Sequence, residues 1–419
     1  ARYLSRAMRE TDVEPTPVDW VIVRLDEIAD PDRPISYGIV QTGPRLLNGV
    51  PCLRVVDIQD GKIQLDDLIT TSEEISSAYR RTKLREGDLV VPLRGKVGEC
   101  AQVAKSLADA NLTRGIALVA VLPKYSASYC KQFFSSARSR AQLSGSMNGS
   151  ALQEIPIATL RSFKIALPPT LDEQDAIART LGDTDALIDS LEQLLTKKRQ
   201  IKQGAMQELL TGKRRLPRFA GLVQTIHLGS VCKMQSGGTP AVSKSAYFDG
   251  PHPWVAISDI TKAGKYLTMT ERSLSDAGLN ACAAQLFPPS TVLYAMYASV
   301  GECCIASVTT CTSQAILAMQ PAKNLDSEYL YYVLTGSRAK AKSAVQQGTQ
   351  GNLNKGIVQD MEIRLPELAE QKAIAGALSE VDEEITALEA RLTKARALKQ
   401  AMAQALLTGR IRLMPPQAA

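Results

Sequence analysis

The most regular feature of the chain is an apolar seven-residue repeat that occurs twice. In the first stretch Ile177, Leu181, Thr184, Ile188, Leu191, Leu195 and Lys198 follow at alternating steps of four and three. In the second, Ile374, Leu378, Val381, Ile385, Leu388, Leu392 and Ala395 do the same. This is the a/d spacing of a coiled-coil seam, and it predicts two long helices. Pro168-Pro169 and Pro366 precede them, and Gly212 and Gly409 stand where the glycine after a helix belongs. Asp172, Glu173 and Glu370 fall in the first turns, whereas Lys197, Lys198, Arg199, Lys202, Arg396 and Lys399 fall in the second halves. That polarity suits the helix dipole, so a solvated helix face explains those basic residues without any partner.

Outside the helices the period shortens. Apolar runs at 21–25, 89–93, 116–122, 292–296 and 315–319 are separated by Gly, Pro, Asn and Ser clusters, and helical stretches intervene at 126–139 and 327–334. The pattern predicts mixed α+β domains with at least one irregular sheet each.

These parts are written twice. Glu173-Gln174 recurs as Glu370-Gln371, and Leu209-Leu210-Thr211-Gly212-Lys213 recurs as Leu406-Leu407-Thr408-Gly409-Arg410, at one offset of 197 residues (173 to 370, 209 to 406). The flanking parts pair more loosely. Pro51 to Ile58 matches Pro253 to Ile260, Val97-Gly98-Glu99-Cys100 matches Val300-Gly301-Glu302-Cys303, and Thr113-Arg114-Gly115 lies opposite Ser313-Gln314-Ala315. The expected organisation is a globular domain over 15–168, a helix over 169–213, a second domain over 214–366 and a second helix over 367–410. A helix of about 40 residues is about 60 Å long. If the seams meet, the second helix runs antiparallel to the first. The predicted fold class is therefore α+β: two pseudo-twofold-related mixed α/β domains separated by a pair of long antiparallel coiled-coil helices.

Composition narrows the chemistry. In 419 residues, 49 Lys and Arg stand against 43 Asp and Glu, a net charge of +6. That balance permits nucleic acid as a partner without demanding it. No apolar run is long enough to span a bilayer. The charged first ten residues lack a leader's apolar stretch, and eight cysteines without a C-x-x-C fit a reducing compartment. A cytoplasmic location is expected. With two histidines, His227 and His252, neither a zinc site nor a Ser-His-Asp arrangement is supported. There is no G-x-G-x-x-G and no complete P-loop. Ser236-Gly237-Gly238-Thr239-Pro240 reads as a turn, although its amides would suit a DNA phosphate. The expectation is a chain with no catalytic residues, no metal and no cofactor of its own.

Taken together, these residues resemble the specificity (S) subunit of type I restriction-modification systems. The resemblance covers the whole chain. It is carried by Leu167-Pro168-Pro169 through Glu173-Gln174, Ile177-Ala178 and Leu181 to Leu209–Lys213, and by the second set from Leu365-Pro366 to Arg410. In the second domain Gly237 to Pro240, Pro253 to Ile260, Ser299 to Glu302 and Gly351 to Lys355 are similar to that family's recognition-domain consensus. The first domain lacks the Gly-Gly-Thr-Pro loop and has Asn148 to Gln153 in place of the last motif.

The resemblance implies a non-catalytic DNA-specificity subunit whose two target-recognition domains each read one half of a bipartite double-stranded target. It implies helices that set the spacer and dock two modification (methyltransferase) subunits, with restriction subunits completing the complex. S-adenosylmethionine, ATP and Mg would then sit on those partners. The rival readings are a specificity arm of a methyltransferase-only or fused restriction system, and a coiled-coil scaffold that never touches DNA.

Polar loop residues are the usual readers of base edges. The candidates are Arg54, Arg94, Lys96, Arg114, Asn148 and Gln153 in the first domain. In the second they are Thr239, Lys244, Ser258, Gln314, Gln350, Asn352, Asn354 and Lys355. Asp57 and Asp259 recur at the same place and read as structural, in a turn or cap. Trp254 suits core packing and base stacking equally.

Overall fold

The structure, a computed structural model, describes residues 3–4, 8–9, 15–96, 98–144, 154–347 and 353–414. The chain divides into two compact units, Ala1–Glu192 with Arg391–Ala419, and Gln193–Ala390.

In the first unit a four-stranded sheet runs in the order Ala101–Gln102, Leu89–Pro92, Ile116–Val119, Ser36–Tyr37. Its central strands are buried throughout because both faces are covered. Leu89, Val91, Ala117 and Val119 point into a core with Trp20, Phe133 and Phe163, while Val90, Ile116 and Leu118 point into a second core with Leu53 and Leu84. A period of two thus feeds two cores from one apolar run. A small sheet sets Asn111–Leu112 parallel to Val50–Leu53, with Ile69–Thr71 antiparallel on the far side. Val21–Arg24 pairs with Lys164–Leu167 at the foot of the first long helix.

The second unit repeats this plan. Cys232–Ser236, Ile316–Pro321, Val292–Ala295 and Cys303–Ala306 form the matching sheet, extended by Tyr266–Leu267. Cys311–Thr312 lies parallel to Phe248–Val255, and Gln224–His227 pairs with Glu362–Leu365. Tyr294 and Leu317 face one core, Leu293 and Ala318 the other.

The two long helices are Leu171–Thr211 and Leu368–Leu406. Both close on a left-handed glycine, Gly212 at φ 68° and Gly409 at φ 69°. A Cβ on Gly409 would lie 2.4 Å from the Pro17 ring, so tight packing demands glycine there as well. Within each unit the helices run antiparallel. Asp185 pairs with Lys399 and Glu192 with Arg396 in the first unit. In the second, Lys198 pairs with Glu384, Arg199 with Glu389 and Lys202 with Asp382. Five of the six basic residues that a solvated face would explain thus meet carboxylates on the other helix, while Lys197 is exposed and has no ion pair among the described residues. Exposed pairs contribute about 0–1 kcal/mol each, so they fix register and direction more than stability.

Two expectations are revised. The stretch 126–139 is two helices, Ala127–Phe134 and Ala137–Ser144. Ser135 ends the first, and the Ser136 hydroxyl accepts the Ser139 N–H at 3.1 Å, restarting the second. The seam is also composite. Ile177 and Leu181, like Ile374 and Leu378, are wholly buried in their units' domain cores. Leu191, Leu195, Ile385, Leu388 and Leu392 are buried farther along the helices, and Ile188 and Val381 are half-buried.

Candidate nucleic-acid interface

In each unit four loops converge at the same strand ends. The Leu93 N–H donates to the Gly115 carbonyl at 2.8 Å, and the Met296 N–H donates to Ala315 at 3.0 Å. The Ile155 N–H reaches Leu93 at 2.7 Å, and the Leu353 N–H reaches Met296 at 3.1 Å. The Thr113 N–H bonds Leu53, and the Ser313 N–H bonds Val255. The Ile39 N–H bonds the Leu112 carbonyl, and the Gly238 N–H bonds that of Thr312. Position by position, Val40 therefore answers Thr239, Arg94 answers Tyr297, and Arg114 answers Gln314.

Close approach explains the glycines. A Cβ on Gly237 would lie 1.8 Å from the Thr312 carbonyl oxygen, and one on Gly38 would lie 2.0 Å from that of Leu112. The first domain lacks the Gly-Gly-Thr-Pro motif but keeps its essential glycine. The suggestion that this turn's amides suit a phosphate is corrected for Gly238. Its N–H is taken by Thr312, its carbonyl accepts the Trp254 indole N–H at 3.0 Å, and the residue is buried. Trp254 is a core residue, packed with Phe248, Leu274 and Cys311.

Asp57 and Asp259 are caps. Each accepts the backbone N–H three residues before it, from Arg54 and Ala256, at 2.7 Å. Asp259 also accepts the Glu271 N–H.

The candidate readers separate into committed and uncommitted groups. The Arg54 guanidinium is committed, bonding both Asp57 oxygens and the Asp67 carbonyl. The Asp57 hydrogen bond pushes its pKa further up. Lys96 donates to the Ile58 carbonyl, and Lys244 lies 5.3 Å over the Tyr247 ring and donates to its hydroxyl at 3.3 Å. Asn354 caps the helix Lys355–Gln359 through the Ile357 N–H at 2.9 Å, and Lys355 is exposed beside it. Ser258 is exposed and its hydroxyl helps hold the Glu271 carboxyl low, after the larger effect of Lys262. Thr239 donates to the Gln314 carboxamide oxygen, so the structure brings those two candidates together.

Arg94 and Arg114 are exposed, and neither side chain has a hydrogen-bond or ion-pair partner among the described residues. Asn148, Gln153, Gln350 and Asn352 lie outside the described residues.

Two features of this edge were missed by residue type alone. Tyr297, 38% exposed, occupies the place of Arg94, and Arg272 stacks 4.0 Å over the Phe248 ring. Carrying the Val97–Val300 match back three residues finds Tyr297. Nothing local signals Arg272. Among the described residues no cluster of His, Cys, Asp and Glu could hold a metal, and no helix is long and apolar enough to cross a membrane.

Two α/β domains of one plan, each joined to long antiparallel helices and each exposing a polar loop edge, define a duplicated recognition fold. The family model for the type I restriction modification DNA specificity domain matches residues 17–203 and again 221–396. The chain belongs to that family.

The EcoBI specificity subunit of Escherichia coli is 30% identical over 179 residues, 42% of this chain and 37% of that one. The MjaIX specificity subunit of Methanocaldococcus jannaschii is 28% identical over 36% of each. These two matches therefore span little more than a third of the relatives' own length. A putative MjaX specificity subunit from the same archaeon aligns over 98% of both chains at 22% identity. Among solved structures, the type I S subunit from M. genitalium covers 95% of this chain and 97% of its own, with a TM-score of 0.60. At 14% identity, that likeness shows a shared fold.

Proposed function

We propose that this chain is the DNA-reading, non-catalytic subunit of a type I restriction-modification complex. Each unit reads one half of a bipartite duplex target, and the length of the two helices sets the unread spacer. The same helices dock two modification subunits, which bring S-adenosylmethionine and extrude the target base for methylation. Restriction subunits, with ATP and Mg, join that core. One observation carries the reading: two units of one backbone plan expose different side chains at the same loop edge, as two different half-sites require.

The test is a domain exchange in the assembled complex, read by methylation-sensitive sequencing. Replacing residues 15–160 with the corresponding domain of another family member should change one half-site and leave the other and the spacer intact. If both halves changed, the modular reading would fail. Inserting four residues in the first long helix adds about 6 Å. At about 3.4 Å per base pair, the spacer should grow by one or two base pairs. Methylation or cleavage by the purified chain alone would overturn its non-catalytic role.

A further inference from the structure

The matched positions at the loop edge differ in one systematic way. In the first unit they hold two arginines, Arg94 and Arg114. In the second they hold Tyr297 and Gln314, and Gln314 is buttressed by Thr239. Resting on the function proposed above, we infer that these positions determine specificity: Arg114, seconded by Arg94, reads guanine in one half-site, and Gln314, positioned by Thr239, reads adenine in the other.

The first support is availability. Five arginines near or within the first unit's sheets are committed: Arg24 to Asp26, Arg33 to Asp88, Arg45 to Asp67, Arg54 to Asp57 and Arg161 to the Ile35 carbonyl. Arg80, Arg81, Arg85 and Arg179 are also exposed without a side-chain partner among the described residues, so availability counts here together with position at the matched loop edge. Among the described residues, Arg94 and Arg114 are exposed and no carboxylate pairs with either guanidinium. They are also neighbours. A Cβ on Gly115, the residue after Arg114, would lie 3.2 Å from Arg94 Nε. Glycine leaves room there for the Val55 side chain, 2.8 Å from the same Cβ position, and for the Arg94 guanidinium. In the second unit the matching residue is Ala315, and the matching side chain is Tyr297 in place of arginine.

The second support is the contrast itself. A phosphate is the same in every half-site, so a phosphate-binding position has no reason to change from cation to amide between two units of one plan. A base-reading position does. The chemistry then assigns the base. A guanidinium fork matches guanine O6 and N7, and a carboxamide matches adenine N6 and N7. The Gln314 oxygen, holding the Thr239 hydroxyl on one lone pair, keeps the other for the adenine N6–H and leaves its NH2 to donate to N7. Thr239 acts as a positioning residue.

The experiment uses the full chain in its complex with modification subunits and a randomised duplex library, sequencing the bound fraction. The wild-type complex should select a bipartite motif with guanine in one half and adenine in the other. Arg114→Ala and Arg114→Lys should each lower the preference at one guanine by about 10- to 100-fold and leave the other half-site unchanged. Gln314→Ala should do the same at one adenine of the other half. Thr239→Val should blunt that same preference while the affinity for non-specific duplex stays constant.

The inference is overturned if the selected motif is unchanged in the Arg114 and Gln314 variants. It is equally overturned if affinity falls alike for all sequences with a shallower salt dependence, the mark of a phosphate contact. A wild-type complex that selects no motif would sink the functional reading instead, so the two failures are distinguishable.

Discussion

The two units solve one closing problem with different thoroughness. In each, an arginine just beyond the end of one long helix binds the repeated glutamate in the first turn of the other. In the first unit Arg412 bonds both oxygens of Glu173, with Nη2 at 2.7 Å, and both oxygens of Asp19 at 2.9 and 3.0 Å. Its side chain is 1% exposed and lies over the Trp20 ring. In the second unit Arg215 binds Glu370 and the Gly221 carbonyl, with 27% of its side chain exposed. Val223 stands where the first unit has Trp20, and it lines a cleft of about 10 Å³ beside the ion pair. The lesson concerns the Glu-Gln repeat. It is a clamp and cap: Gln174 accepts the Ser126 N–H and donates to Pro168, while Gln371 accepts the Asp326 N–H and donates to Pro366.

Removing the arginine should separate the two clamps most sharply. Arg412→Met strands the buried Glu173 and should cost about 3–5 kcal/mol, the usual penalty for an uncompensated buried charge. Arg215→Met should cost less, about 1–3 kcal/mol, because Arg215 is itself 27% exposed, so water can enter its place and reach Glu370, which is as buried as Glu173 while the pair is intact. Denaturant titration of both variants measures the difference. Equal losses would mean that Asp19 and the deeper burial add nothing.

A second pair should show no difference. The Tyr129 hydroxyl donates to Ala166 at 2.7 Å, and the Tyr329 hydroxyl donates to Arg364 at 2.9 Å, each tying a domain helix to the strand before a long helix. Tyr129→Phe and Tyr329→Phe should each cost about 1–2 kcal/mol by leaving a carbonyl unpaired. A twofold disparity in the unfolding midpoints' shifts would show that the repeat is less faithful than its geometry.

The third contrast depends on pH. In the second unit Lys265 bonds Glu328 and Ser379, with Tyr266 on the same carboxylate, and no such cluster occurs among the described residues of the first. Burial would raise the Glu328 pKa, but these bonds together hold it below its usual value. A depressed carboxylate stabilises the fold above its unfolded value, about 4.3, and that contribution is lost as pH falls through the folded value. Glu328 is partly exposed, so the effect stays within about 1 kcal/mol. The gap in stability between wild type and Lys265→Met should be constant from pH 7 to about pH 5 and close below about pH 4. A gap that persists in acid would assign Lys265 a packing role alone.

The duplication, the long helices, their glycine stops and the central strands were legible because each rests on a local period or on repetition. The pairing of the helix-end arginines was not, since Arg412 meets Glu173 across 239 positions. Among the candidate readers, residue type could not distinguish Arg54 from Arg114. Asp57, three residues on, claims the first guanidinium, and no described residue claims the second. The pre-ordered Thr239–Gln314 pair likewise depends on a strand pairing that brings distant loops together.

The smallest expected effect lies in the thiols, where the two units again differ. Cys52, Cys100 and Cys130 of the first unit are all buried, as are four of the second unit's five. Burial pushes Cys52, Cys130, Cys232, Cys304 and Cys311 up to about 12 and Cys303 up to about 11, with Cys100 raised as well. At pH 8 almost none of these is thiolate, the reactive form. Cys282 is only half-buried, with its Sγ 3.5 Å from the Gly278 carbonyl. A disulfide reagent at pH 8 should therefore label a single thiol in the folded chain, in the second unit, and all eight after unfolding. Labelling should leave the melting temperature unchanged, because Cys282 lies outside the apolar cores. Rapid modification of Cys100 or Cys130 in the native protein would mean that the first unit's sheet opens far more readily than its doubly covered strands imply.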